Sequence, residues 1–211
     1  MSNPSLRVTI TVAEAKLDKY NNSKVKAVSD IEKNGLTLQE AYYSVNEDGS
    51  RAIFHLWTIP EDSSLYDLME KMGNLDGGVS DIVNISMQKH HLVAPFCLGN
   101  EYSAEHITRN DLVKGNKYFL LSSTYQAGSG IPFKEDIRTM QLTLYKSGWS
   151  IDSACQCLTG SLGTTHLLWR IPDGKDGELD TTQLSQSNLV TAPKKILVTP
   201  YNPKNPEDLV Q

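Results

Sequence analysis

The chain lacks almost every short motif that announces a chemistry. No Gly-x-Gly-x-x-Gly, no Gly-Lys-Ser/Thr loop and no Gly-x-Ser-x-Gly elbow occurs, so dinucleotide, P-loop nucleotide and serine-hydrolase sites lack their usual backbone cradle. Gly128-Ser129-Gly130 has no Gly-Lys-Ser after it and is expected only to turn the chain from strand into helix. No run approaches the roughly 18 apolar residues of a membrane helix. The amino terminus, MSNPSLRVTI, has no apolar stretch of the secretory kind, so the expected location is the cytoplasm. Three cysteines in 211 residues are too few for a disulfide framework. The net charge is −5 and the pI about 5.5; with no basic stripe, a nucleic-acid surface is not expected, because phosphate binding needs a positive field. The expected partner is a small molecule, with no nucleic acid and no membrane, and a homodimer is compatible with the sequence.

What the chain does have is a phrase written twice. FHLWTIPED stands at 54–62 and HLLWRIPDG at 166–174. Trp57 and Trp169 are 112 positions apart (169 − 57), and a shift of about that size aligns much else. Strand-like Arg7–Val12 falls on Phe119–Thr124, and Gly35 falls near Gly148. Val25, Val28 and Ile31 fall near Ile137, Met140 and Leu144, and Leu36–Val45 falls near Trp149–Leu158. Ile82–Ile85 falls on Lys194–Leu197.

Local physics supports the individual elements. Val25, Val28 and Ile31 make a helical stripe over 23–34, with Ser23 able to cap its start and Gly35 to take the left-handed turn at its end. Asp48-Gly49 between two strand-like runs is a hairpin signal. Pro60 ends the next strand, and Leu65, Leu68, Met69 and Met72 mark a second helix stopped by Gly73. In the second copy, Phe133–Lys146 reads as the first helix and Gly160–Gly163 as the hairpin turn, whereas 178–188 is a poor helix rich in Thr, Gln and Ser.

The order strand, helix, strand, strand, helix, strand therefore occurs twice. The fold class is α+β: two tandem ferredoxin-like (βαββαβ) repeats, each with an antiparallel sheet. The expected boundaries are repeat 1 at 1–93, a linker at 94–117, repeat 2 at 118–200 and an extended arm at 201–211, within a tail, TPYNPKNPEDLVQ (199–211), that is broken by prolines. The arm is expected either to be disordered or to pack over the partner half or a partner subunit.

With two copies in one chain of this length, the pattern resembles the dimeric α/β-barrel superfamily over nearly the whole chain. That group includes antibiotic-biosynthesis monooxygenases, polyketide cyclases, haem-degrading enzymes and the duplicated chlorite dismutase and Dyp-type peroxidase relatives. The resemblance implies that the two antiparallel sheets form an intramolecular α/β barrel, with a ligand seated between one sheet and its own helices. It does not by itself choose a reaction.

A two-residue Asp48-Gly49 turn would set Tyr42 opposite His55 and Glu40 opposite Trp57. Glu40, Tyr42, Ser44, Ile53, His55 and Trp57 would then share one face. That grouping offers His55, Tyr42 and Glu40 as catalytic residues for proton work on an aromatic or polyketide-like substrate. The plainer reading is a half-buried interface in which Tyr42 and His55 hydrogen-bond each other or backbone. In the second copy, Ser153, Cys155, Cys157, Thr165, Leu167 and Trp169 would share a face, with Gln156, His166 and Arg170 on the other. Trp57, Trp169 and Cys155 are the expected substrate-binding residues.

Cys155-Gln156-Cys157 supplies too few ligands for a metal, and no metal is expected. Adjacent His90 and His91 on a strand point oppositely and cannot chelate together, while His106 and Cys97 fall in the linker. The function expected is a cofactor-independent monooxygenase or cyclase of secondary metabolism. The alternatives are a haem protein with His55 or His166 as axial ligand, or a non-catalytic binding or assembly module with a filled interior.

Overall fold

A computed structural model describes residues 5–60, 63–64, 67, 86–96, 116–160, 162–174, 178–186, 190–191 and 193–211. The elements are β1 (Ser5–Val12), a 3-10 turn at Glu14–Lys16, α1 (Leu17–Lys33), β2 (Thr37–Val45), β3 (Arg51–Thr58) and β4 (Ser86–Pro95). They continue as β5 (Tyr118–Thr124), α2 (Gly130–Tyr145), β6 (Ser150–Cys157), β7 (Thr164–Arg170), α3 (Thr182–Gln186) and β8 (Lys194–Pro200). The chain is α+β, and its eight strands are hydrogen-bonded in the closed antiparallel order β1-β3-β2-β8-β5-β7-β6-β4. Within the repeats this reads β4-β1-β3-β2 and β8-β5-β7-β6, one order used twice. The expected helix through Leu65–Met72, the strand at Ile82–Ile85 and most of the expected linker lie outside the described residues. No described helix is long and apolar enough to cross a membrane.

Contacts divide the chain into a first unit, Met1–Leu92 with Pro200–Gln211, and a second, Val93–Thr199. In the first, β1 alternates so that Leu6, Val8, Ile10 and Val12 join Ile53, Trp57 and Ala41 against Tyr20, Ala27 and Val28 of α1. α1 begins six residues before the expected start. Ser23 is therefore no cap; its hydroxyl turns back to the Lys19 carbonyl, as short hydroxyl side chains do inside helices. Gly35, at φ +94°, makes the expected left-handed exit.

The C-terminal residues belong to this first unit. Tyr201 and Val210 enter its core. Asn21 of α1 holds the Val210 backbone at both groups, its Nδ2 donating to the carbonyl and its Oδ1 accepting from the amide, each at 3.0 Å. Lys204 pairs with Glu32 at 2.6 Å.

The second unit packs Phe133, Ile137 and Met140 of α2 on Leu121, Leu167, Trp169, Ile151 and Ala154 of its sheet. Among the described residues of the polar 178–188 stretch, five, Thr182–Gln186, are helical.

The repeated phrase has a structural explanation in each unit. Trp57 and Trp169 are fully buried between sheet and helix, and Ile59 and Ile171 are buried beside them. The proline of each phrase lies on the glycine that ends the first helix of its repeat. A Cβ on Gly35 would meet Pro60 Cγ at 3.3 Å, and one on Gly148 would meet Pro172 Cβ at 3.3 Å. Both glycines also need positive φ, +94° and +87°.

Candidate functional site

The first hairpin closes differently from the expected two-residue turn. Asn46 and Ser50 pair, leaving Glu47, Asp48 and Gly49 as a three-residue loop with Gly49 at φ +78°. Asp48 Oδ1 accepts from both the amide and the hydroxyl of Ser50, at 2.9 and 2.6 Å, which fastens that loop. The register moves by one residue, and a one-residue slip flips every side chain. His55 therefore stands opposite Ala41, Tyr42 opposite Phe54, and Glu40 opposite Leu56. The expected His55–Tyr42–Glu40 grouping does not form. Tyr42 and Glu40 share the face away from α1, where Tyr42 stacks on Phe54 at 5.3 Å and the Arg7 guanidinium lies 4.9 Å from the Phe54 ring. His55 and Trp57 share the α1-facing side, as expected of alternating residues, with ring centroids 5.8 Å apart.

The partner that His55 does have came from outside the expected set. Its Nε2 is 2.6 Å from the Tyr201 hydroxyl, which is 2.8 Å from the Tyr20 hydroxyl. All three groups are buried, forming one polar chain through an otherwise apolar layer. Burial disfavours the imidazolium and lowers the His55 pKa to about 4, so the ring is neutral at pH 7. Burial likewise raises both phenols and keeps them protonated. Lys24, also buried, donates to the carbonyls of Asn21 and Pro206 at 3.4 Å. Desolvation lowers its pKa, and the nearby Asp208 carboxylate opposes that shift.

The second hairpin also departs from the expected register by one. Cys155 stands opposite His166, and Ala154 opposite Leu167. His166 therefore shares the face of Cys155 and Cys157, contrary to the expected separation, and lies away from the layer that holds Trp169. Its Nδ1 is 2.9 Å from Ser122 Oγ and its Nε2 is 3.5 Å from Cys157 Sγ. Cys155 does not line the Trp169 layer.

These contacts test the haem alternative. An axial histidine needs one ring nitrogen directed at iron with room above it. His55 Nε2 is taken by Tyr201, and the ring lies between Trp57 and Tyr201. Both His166 nitrogens face protein atoms. Neither residue fits as an axial ligand. His106 lies outside the described residues. Among the described residues no cluster of three His, Cys, Asp or Glu could hold a metal ion.

The helix–sheet layer of the second unit contains a different irregularity. Trp169 Nε1, Gln141 Oε1 and Ser123 Oγ are buried without a hydrogen-bond partner among the described residues. Their residues are 0%, 4% and 2% exposed. Gln141 comes from α2, while Ser123 and Trp169 come from strands whose neighbouring positions build the same core. Each such group costs about 1–3 kcal/mol. The same core contains aromatic pairs: Tyr125 stacks on Phe133 at 4.9 Å, and Phe119 lies 6.2 Å from Trp149. Trp169 was expected as a substrate-binding residue; Gln141 and Ser123 carried no motif that would have singled them out.

No family model matches the sequence, and no curated protein matches it. Solved structures match its fold. A provisionally assigned monooxygenase of Lactobacillus acidophilus NCFM is 9% identical with a TM-score of 0.55, the match covering 94% of each chain. A mutant chlorite dismutase of Candidatus Nitrospira defluvii is 9% identical with a TM-score of 0.58, covering 96% of this chain and 93% of that one. An anthrone oxidase-like protein is 9% identical with a TM-score of 0.51, covering 95% and 92%. With the strand order above, these likenesses give the chain the dimeric α/β-barrel fold, duplicated within one polypeptide.

Proposed function

We propose that this chain binds an aromatic or polyketide-like small molecule between α2 and the sheet of its second unit and acts on it as a cofactor-free oxygenase or cyclase. The observation that supports this most is the set of unpaired buried atoms, Trp169 Nε1, Gln141 Oε1 and Ser123 Oγ. A flat hydroxylated ketone is their complement. Its carbonyl would accept from the indole N–H, and its hydroxyl would donate to the Gln141 carbonyl oxygen. An indole donor aimed at that carbonyl oxygen would also stabilise the enolate that a substrate forms on releasing its acidic C–H proton to solvent. The ionised substrate could then reduce dioxygen itself, without haem on His55 or His166. Likeness in fold to monooxygenase and anthrone oxidase-like proteins supports the class.

A second reading keeps proton transfer in the first unit. It is favoured by the neutral His55, which could take a proton through Tyr201. The close packing of Trp57, Tyr20 and Val28 around that chain supports a structural role instead. One experiment separates the readings: oxygen uptake with a hydroxylated anthrone by the full chain and its variants. Trp169→Phe and Gln141→Leu should lose turnover, while His55→Gln keeps it per folded molecule. Loss in His55→Gln alone, at unchanged melting temperature, moves the chemistry to the first unit. No oxygen uptake and no binding by the wild type would sink both.

A further inference from the structure

We propose that Cys157, His166 and Ser122 form a reactive-thiol site on the sheet face away from α2, one that adds to soft electrophilic carbon such as an α,β-unsaturated carbonyl. The site lies within the second unit and is independent of the layer around Trp169. Antiparallel pairing sets Ser122, His166 and Cys155 in one row across β5, β7 and β6. Cys157, two residues along β6, falls on the same face. His166 bridges the group, Nδ1 to Ser122 Oγ at 2.9 Å and Nε2 to Cys157 Sγ at 3.5 Å. A nucleophile in reach of a base, with that base oriented by a third group, is the arrangement that activates a thiol.

The alternative is an inert buried cysteine, which packs as a small hydrophobe. Three observations argue against it. Cys157 is a thiol, not half of a disulfide. Its sulfur lies 3.5 Å from an imidazole nitrogen on one side, with Val93 of β4 paired on the other. On this face Ser122, His166 and the Thr124–Thr164 hydroxyl pair at 2.8 Å are polar and half-buried, whereas Leu120 and Leu168, further along the same strands, are buried. The thiol itself is 6% exposed, so an electrophile must reach it past these half-buried hydroxyls. Among the described residues of this unit, the charged groups on the face include Lys194, opposite Ser122 on β8, and Arg170, which donates to Ser150 and lies 3.8 Å from Asp152. The exposed lysine adds positive potential at the end of the row, which favours a thiolate.

In the reactive tautomer Nδ1–H donates to Ser122 Oγ, which leaves Nε2 as the acceptor of the Cys157 S–H proton. In the addition, Nε2 takes that proton as sulfur bonds to the β-carbon. The C=C electron pair moves onto the α-carbon and carbonyl as an enolate. His166 then returns the proton to the α-carbon. One S–C and one C–H bond form, one S–H and one C=C π bond are lost, and nothing is oxidised or expelled.

The test uses the intact chain, N-ethylmaleimide as the unsaturated carbonyl, and mass mapping of the three cysteines between pH 5.5 and 9. Cys157 should react in the folded protein with a midpoint at least about one pH unit below the ~8.5 of an ordinary thiol. His166→Asn should slow labelling at pH 6.5 at least tenfold and return the midpoint to the ordinary value. Ser122→Ala should fall between. A folded protein whose Cys157 stays unlabelled while the urea-unfolded chain reacts would overturn the site. So would a wild-type midpoint near 8.5, a result that needs no variant to fold. Labelling at Cys155 in place of Cys157 would overturn the assignment equally.

Discussion

The buried His55 predicts a specific loss of stability in acid. In the folded chain its pKa is about 4, lowered by burial from 6.5. Above pH 6.5 the ring is neutral in both folded and unfolded chains, and it contributes no pH dependence. Between 6.5 and 4 the unfolded chain binds a proton that the folded chain refuses, so stability falls as pH falls. With these two values the penalty between pH 7.5 and pH 5 is about 2 kcal/mol, approaching ~3 kcal/mol below pH 4. The assay is urea unfolding at several pH values for the wild type and for His55→Gln, which cannot titrate. Carboxylates contribute similarly to both, so the difference between the curves isolates His55. The wild-type curve should be steeper by about 2 kcal/mol over that interval. Parallel curves would mean that His55 is protonated or solvated in the folded protein, and would refute the buried neutral chain to Tyr201.

Three further outcomes follow from the same structure. Tyr201→Phe removes the oxygen between His55 Nε2 and Tyr20 and leaves two buried groups unpaired; it should destabilise by roughly 2–4 kcal/mol in denaturant melts. Gln141→Leu removes a buried carbonyl oxygen that has no partner among the described residues, so it should leave the melting temperature unchanged or raise it while weakening binding of a hydroxylated anthrone; a fall of several degrees would show that the amide is paired. Gly35→Ala and Gly148→Ala each place a Cβ at 3.3 Å from a proline at positive φ, and each should cost about 1 kcal/mol or more.

The fold was legible because its strongest signals are periodic and written twice. Gly35 and Gly148, aligned by the Trp57–Trp169 offset, occupy equivalent left-handed turns, and the strand order repeats as the element order predicted. Faces were less legible. The Asp48-Gly49 pair signals a hairpin but does not specify loop length, and the Asp48–Ser50 bonds that select three loop residues rather than two are invisible to periodicity. That single residue moved Tyr42 and Glu40 away from His55. The same kind of slip in the second hairpin brought His166 to Cys157. Tyr201 was missed for another reason. It lies in a proline-broken segment whose position comes from contacts 146 and 181 residues distant in sequence, with His55 and Tyr20. Gln141 and Ser123 look ordinary in sequence; only their burial without partners marks them.

The central claim, a ligand seated on Trp169, is tested most directly by the indole N–H region of a two-dimensional ¹⁵N NMR spectrum. The three tryptophans, Trp57, Trp149 and Trp169, give three assignable signals. Titration with a hydroxylated anthrone should move the Trp169 signal downfield as its N–H gains an acceptor, with Trp57 unmoved, and Gln141→Leu should weaken the apparent affinity. A saturating titration that shifts Trp57 and leaves Trp169 in place, or one that shifts neither, would contradict the account.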